Sequence, residues 1–136
     1  MPVKCTHIAD TSALIAYLKG EDGHDKFAAL LMEDCNVIGI HATTLCDLYY
    51  HYLRLDGLES AEEARAKVTE ILGVIEDMDA DFLRRVARWK ADYELPFSYA
   101  FAAATAEQYG CCVVTIDRDG YKGILTTGTL QITCLR

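Results

Sequence analysis

The sequence predicts a single α/β domain over residues 1–136, built as a three-layer α/β/α sandwich with a mostly parallel central sheet. Short apolar runs rich in β-branched residues recur along the chain, as in NVIGI and CCVVTID. Longer amphipathic stretches separate these runs, and helices between short apolar strands are typical of a parallel sheet covered on both faces. The chain has the usual length of one domain and shows no repeat or linker.

The first part of the chain is predicted to contain two strands and three helices. In order, these are a strand over 3–9, helices over 11–20 and 22–33, a strand over 36–40 and a helix over 43–57. Gly20 and Gly57 are the expected C-terminal stops of two of the helices. Thr43 or Thr44 is the expected N-cap of the helix over 43–57.

The second part is predicted to contain three helices and two strands. Ser60 and Glu63 form a capping-box pattern at the start of a helix that extends to about residue 77. Asp79 is the expected cap of the next helix, and Pro96 separates it from a last helix that ends at Gly110. The strands are expected over 111–117 and 130–136.

The net charge of −8 and the absence of a lysine or arginine block argue against a broad electrostatic clamp on nucleic acid. Three interpretations of the acidity are compatible with each other. It can serve solubility, it can reflect carboxylates that converge on a cation, or it can suit a basic protein partner.

The cysteines predict a reducing, cytoplasmic location. None of the six lies in a CxxC pair, and the four histidines are not spaced with them as zinc ligands. Buried thiols are therefore expected. The N-terminus lacks the pattern of a signal peptide, and no run of about 18 apolar residues predicts a membrane span.

Two aspartates follow predicted strands and are the first candidates for chemistry. Asp10 ends the first strand and Asp117 ends CCVVTID. Ligands of open parallel sheets bind beyond the carboxyl ends of the strands. If these two strands are neighbours, the carboxylates repel each other unless a cation lies between them, and Mg²⁺ or Mn²⁺ suits oxygen ligands. The alternative is that Asp10 is only a helix N-cap.

Two further aspartates have open roles. Asp47 lies one turn into a helix and is either a solvated residue or a third ligand that points to the sheet edge. Asp119 is either a fourth ligand or a turn residue beside Gly120, and the turn is favoured. Three other classes are excluded by their missing motifs. The chain has no GxxxxGK[ST] pattern of P-loop proteins, no GxGxxG pattern of dinucleotide-binding folds and no GxSxG pattern of serine hydrolases.

Three segments of the chain resemble the motifs of the PIN domain family, in the family's order and spacing. These are ADTSALIAYL, TTLCDLYYHYLRLDG and LPFSYAFAAATAEQYGCCVVTIDRDGY. The resemblance extends over nearly the whole chain and is closest to VapC-type toxins of toxin–antitoxin pairs. It implies an endoribonuclease in which acidic residues hold Mg²⁺ or Mn²⁺ and the metal activates water for attack on an RNA phosphodiester.

The resemblance assigns roles to individual residues. Asp10, Asp47 and Asp117 match the first, second and fourth acids, which are the family's catalytic metal ligands, although the second acid is usually Glu. The hydroxyl positions that line the family's site are matched by Thr11, Ser12 and Thr115.

Tyr99 stands where the family has its third acid, and this is the main departure. A phenol titrates near ~10 and cannot replace an anionic carboxylate near neutral pH. Tyr99 either fills the space of the missing acid or contacts a base or phosphate. The leading hypothesis is a metal-dependent ribonuclease, with RNA as substrate and an antitoxin as a possible partner. The alternative is a degenerate PIN-fold protein that binds RNA or protein without cutting.

A run of aromatic and aliphatic residues on one predicted helix indicates self-association. Tyr49, Tyr50 and Tyr52 are followed by Leu53 and Leu55, which is more apolar surface than one buried face requires. We therefore expect a homodimer.

Overall fold

The computed structural model describes residues 5–136 and contains a sheet of five strands. They are β1 (His7–Ala9), β2 (Ile38–His41), β3 (Gly73–Ile75), β4 (Cys112–Thr115) and β5 (Ile132–Cys134). The strand order is β3-β2-β1-β4-β5, and every neighbouring pair is parallel. The predicted α/β fold is confirmed, and the central position of β1 makes β4 its direct neighbour.

Seven helices cover the two faces of the sheet. They are α1 (Thr11–Lys19), α2 (His24–Met32), α3 (Ala42–Asp56), α4 (Leu58–Ile71), α5 (Ala80–Tyr93), α6 (Phe97–Tyr109) and α7 (Lys122–Thr127), with a 3₁₀ turn at Asp119–Tyr121. Adjacent strand residues point to opposite faces. Ile8 and Val113 pack against α5 and α6, whereas Ala9 and Val114 pack against α1 to α4.

Helix α6 lies close to the sheet because its buried face consists of small side chains. Ala100, Ala103 and Ala104 are fully buried in the core, so the helix axis can approach the strands more closely than with larger residues. This close approach brings Tyr99, in the first turn of α6, to the carboxyl edge of the sheet. Among residues 5–136, no helix is both long and apolar enough to span a bilayer.

The predicted caps of α3 and α4 are wrong. The N-cap of α3 is His41, whose Nδ1 accepts a hydrogen bond of 3.0 Å from the amide of Thr43. Helix α4 begins directly after Gly57, at φ +96°, without the capping box. Gly57 ends α3 and starts α4 because its positive φ turns the chain sharply between them.

Other boundaries also differ from the prediction. Helix α4 ends at Ile71, and the residues expected to continue it form β3 instead. Helix α7 and the 3₁₀ turn were not predicted. The predicted cap of α5 is confirmed, since Asp79 accepts a hydrogen bond of 2.8 Å from the amide of Phe82. Residues 3 and 4 of the predicted first strand lie outside the described residues.

Candidate acidic site at the sheet edge

Asp10 and Asp117 lie at the same edge of the sheet because they follow neighbouring strands. Ala9 at the end of β1 is in register with Val114 of β4. The amide of Asp10 donates a hydrogen bond of 3.1 Å to the carbonyl of Val114. The adjacency on which the predicted site depends is therefore present.

The carboxylate of Asp10 is fully buried and accepts hydrogen bonds on both oxygens. Its Oδ1 accepts from Ser12 Oγ at 2.7 Å and from the amide of Ala13 at 3.0 Å. Its Oδ2 accepts from the hydroxyl of Tyr121 at 2.9 Å. Burial raises the pKa of Asp10, and these donors, together with Thr115, oppose that shift. Asp10 is thus the N-cap of α1 as well as a strand-end acid.

The carboxylate of Asp117 is half-buried and accepts two hydrogen bonds. The hydroxyl of Tyr99 donates to its Oδ2 at 2.5 Å, and the amide of Gly120 donates to its Oδ1 at 3.0 Å. The amide of Asp117 donates to Thr115 Oγ1, which lies 3.1 Å from Ser12 Oγ. The predicted hydroxyl residues Ser12 and Thr115 therefore link the two strand ends.

Tyr99 lies near Asp10, Asp47 and Asp117, three of the predicted metal ligands. Burial raises the pKa of its phenol far above the ordinary value, and the hydrogen bond to Asp117 and the charges of Asp10, Asp117 and Asp47 raise it further. The phenol therefore remains neutral. Its ring stacks on that of Tyr121, with centroids 4.7 Å apart and planes 15° apart.

Asp47 and Asp119 occupy different surroundings. Asp47 is half-buried and lines a groove of about 290 Å³ between α1, α3 and the start of α6. The groove is also lined by Thr11, Ser12, Ile15, Tyr50, His51, Pro96, Ser98 and Tyr99. Asp119 is exposed and begins the 3₁₀ turn. Within residues 5–136, no three His, Cys, Asp or Glu side chains are grouped so that they could hold a metal ion.

Two residues at this edge were not found from the sequence. Tyr121 is fully buried, and its hydroxyl reaches Asp10 across 111 positions of the chain. The Asp119-Gly120 pair predicted a turn, but it did not indicate that the side chain of Tyr121, directly after the turn, would contact Asp10. His41 is fully buried, and its Nε2 lies 2.8 Å from the carbonyl of Asp77.

The family model for the PIN domain matches residues 8–123, which include both strand-end aspartates and Tyr99. The chain belongs to the PIN domain family. No curated protein sequence matches it at a significant level.

Solved structures of other PIN proteins share this fold. A toxin–antitoxin complex from Klebsiella pneumoniae aligns with a TM-score of 0.73 and 17% identity, over 96% of this chain and 98% of that one. VapBC2 from Rickettsia felis, bound to a promoter DNA fragment, gives 0.74 and 17% over 95% and 98%. VapC20 from Mycobacterium tuberculosis, a sarcin–ricin-loop-cleaving toxin, gives 0.66 and 18% over 92% and 96%.

The residues at this edge do not fit the divalent ion that the PIN resemblance implies. Mg²⁺ and Mn²⁺ need several oxygen ligands with free lone pairs. Both oxygens of Asp10 accept internal hydrogen bonds, and one oxygen of Asp117 accepts the phenol of Tyr99. Tyr99 is the residue at which the sequence resemblance predicted a departure from the family's third acid. Donors from the chain itself therefore bond to all four oxygens of Asp10 and Asp117.

Proposed function

We propose that this PIN-fold chain of the toxin–antitoxin type acts by binding a protein partner and does not hydrolyse RNA. The observation that carries the proposal is the hydroxyl of Tyr99, which donates to Asp117 in the middle of the family's acidic positions. This geometry favours the degenerate alternative over the ribonuclease.

Hydrolysis of a phosphodiester requires a group that activates water and neutralises the charge that develops on phosphate. The edge of this sheet presents aspartates and a neutral phenol instead. A carboxylate edge repels a phosphate when no cation is bound to it. Asp10, Asp117 and Tyr99 therefore carry no positive charge of their own that could neutralise the phosphate.

A protein partner suits the surface better than RNA does. The net charge of −8 disfavours contact with a polyphosphate backbone. Exposed apolar side chains cluster in sequence on α3 and the start of α4, namely Tyr50, Leu53, Leu55 and Leu58. We call these four residues the α3–α4 patch. A partner of the antitoxin kind with apolar and basic side chains would complement both features, and two of the similar structures are toxin–antitoxin complexes.

A metal-dependent endoribonuclease is the second candidate. The observation that favours it is that the charges of Asp10, Asp47 and Asp117 all raise the pKa of Tyr99, so the three acids lie near that phenol. If Tyr99 swings out, these acids would be the ligands of Mg²⁺ or Mn²⁺, with Asp119 as a fourth. RNA would then be the substrate.

A cleavage assay decides between the two functions. The purified chain is incubated with single-stranded and structured RNAs in Mg²⁺ and in Mn²⁺, beside an Asp117→Asn variant. We expect no cleavage above that of the variant. Cleavage that Asp117→Asn abolishes would overturn the proposal and establish the nuclease.

The partner is tested by co-expression with the protein encoded by the adjacent gene. We expect the pair to co-purify, and Leu53→Glu with Leu58→Glu to reduce the co-purified amount at least about tenfold, as loss of buried apolar contacts predicts. Leu83→Glu, at an exposed leucine of α5, is the matched control. Equal loss with the control would exclude the α3–α4 patch. The homodimer stays a prediction, which light scattering measures directly.

A further inference from the structure

Each strand-end carboxylate at the sheet edge is paired with its own tyrosine. Tyr99 donates to Asp117, and Tyr121 donates to Asp10. The two tyrosines come from different elements, since Tyr99 lies in the first turn of α6 and Tyr121 ends the 3₁₀ turn. Their rings stack face to face. The two phenols therefore form one continuous layer over the two acids.

The two phenols donate hydrogen bonds to the carboxylates and so stabilise them, as a cation does in other acidic sites, but they add no positive charge. Two carboxylates at one edge are costly to bury unless donors satisfy their oxygens. Asp10 and Tyr121 are both fully buried, so a hydrated ion has no open path to Asp10. A metal ion at this edge would have to displace both phenol hydrogen bonds.

The layer is tightly packed on the side that faces Gly120. A Cβ at Gly120 would overlap the ring of Tyr99 and lie 2.8 Å from Asp117 Oδ2. The turn that carries Tyr121 is therefore in close contact with the ring of Tyr99 and with Asp117, to which Tyr99 donates its hydrogen bond. Movement of one tyrosine disturbs the contacts of the other.

We infer that the stacked pair Tyr99–Tyr121 closes the acidic edge to divalent metal ions, and that both hydroxyls must be removed before Asp10 and Asp117 bind Mg²⁺ or Mn²⁺. The inference rests on the proposed function and gives its physical cause. Tyr121 matches no acid of the family, yet its hydroxyl blocks metal binding as much as that of Tyr99 does.

The experiment is a titration of Mn²⁺ into the purified full chain, followed by calorimetry and by electron paramagnetic resonance of the free ion. The variants are Tyr99→Asp, which supplies a third carboxylate, Tyr121→Phe, and the two combined. Tyr109→Phe is the matched control, because Tyr109 lies on the same helix and donates to Asp77 at 2.8 Å away from this edge. Circular dichroism melts establish that each variant folds.

We expect no saturable binding by the native chain or by the control. The combined variant should bind Mn²⁺ saturably. Tyr99→Asp alone, which keeps the hydrogen bond from Tyr121 to Asp10, should bind at least about tenfold more weakly or not at all, because one hydrogen bond to a charged group contributes about this factor. An added Asp117→Asn should abolish this binding. If the combined variant fails to fold, Tyr99→Phe with Tyr121→Phe removes both hydroxyls and keeps both rings, and it should bind where the native chain does not.

Three results would overturn the inference. They are saturable binding by the native chain that Asp117→Asn removes, equal affinity of Tyr99→Asp and the combined variant, and no binding by any folded variant. These results are distinct from a failure of the proposed function. A native chain that binds Mn²⁺ but leaves RNA intact refutes only the inference, whereas cleavage without saturable Mn²⁺ binding refutes only the proposed function.

Discussion

At the scale of single residues, the state of Asp117 depends on the side chain that faces it from α6. An acid at position 99 would add a further negative charge to those of Asp10, Asp47 and Asp117 and would require a cation. The phenol of Tyr99 instead donates a hydrogen bond and stays neutral, because burial and the nearby carboxylates raise its pKa far above its ordinary value. One residue thus changes the charge balance of the whole edge.

Gly120 is predicted not to tolerate a side chain, because it lies directly against the ring of Tyr99. Gly120→Ala should lower the free energy of unfolding by about 1–3 kcal/mol, the usual cost of overpacking, because its Cβ would overlap Tyr99. Urea unfolding followed by circular dichroism measures the loss. Gly73→Ala is the control, since a Cβ there meets no atom within 4 Å. Equal losses in both variants would contradict the close packing of Tyr99.

At the scale of elements, His41 connects β2, α3 and the chain after β3. Its Nδ1 caps α3, its Nε2 lies within hydrogen-bonding distance of the Asp77 carbonyl, and its ring stacks on Phe82 at 5.1 Å. Because Nδ1 accepts the Thr43 amide, the proton of the neutral ring lies on Nε2. Burial lowers the pKa of His41 below 6.5, although Asp77 opposes the shift.

Stability should therefore fall as the medium becomes acidic. A histidine whose pKa is lowered by folding contributes its full stability above 6.5, and this contribution is lost as the pH falls through the folded-state pKa. The difference in unfolding free energy between about pH 7.5 and about pH 5.5 should be smaller in His41→Asn, since Asn can cap a helix without titrating.

The pH test has two internal checks. His7 also has a lowered pKa, but it is present in both proteins and cancels in the comparison. His24→Asn, at an exposed position, is the control and should keep the native pH dependence. The interpretation fails if His41→Asn and the native chain lose the same free energy on acidification.

Elements with strong local signals were predictable from the sequence, and those that depend on distant partners were not. The β-branched run of β4 and the glycine stops of α1 and α6 are local features, and the structure has them where expected. Strand β3 has three residues and exists because it pairs with β2, which no local pattern encodes. Similarly, Asp10 and Asp117 were found from strand ends, but Tyr121 reaches Asp10 only through the tertiary fold.

At the scale of the whole molecule, the exposure of each cysteine shows whether it belongs to the core or to the surface. All six cysteines lie within residues 5–136 and are free. Cys35 and Cys46 are exposed, whereas Cys5 and Cys112 are buried. Burial raises the pKa of Cys5 and raises that of Cys111 to about 12, which leaves little thiolate to react.

Alkylation of the native protein with iodoacetamide should follow this order. Cys35 and Cys46 should react first, and Cys5 and Cys112 only when the chain unfolds. Peptide mass spectrometry after timed quenching identifies each modified residue, and the same reaction in urea is the control for intrinsic reactivity. Rapid native labelling of Cys5 would contradict the packing of the face that contains Ile8 and Val113.

The central position of β1 also has a consequence for synthesis on the ribosome. Its partner β2 follows within the first third of the chain, but β4 comes late, and the donor to Asp10 Oδ2 comes later still, at Tyr121. A nascent chain therefore carries a half-paired strand and a hydrated aspartate until its last segment emerges. Premature termination before Cys112 would leave an open strand edge, the kind of surface that recruits other chains into aggregates.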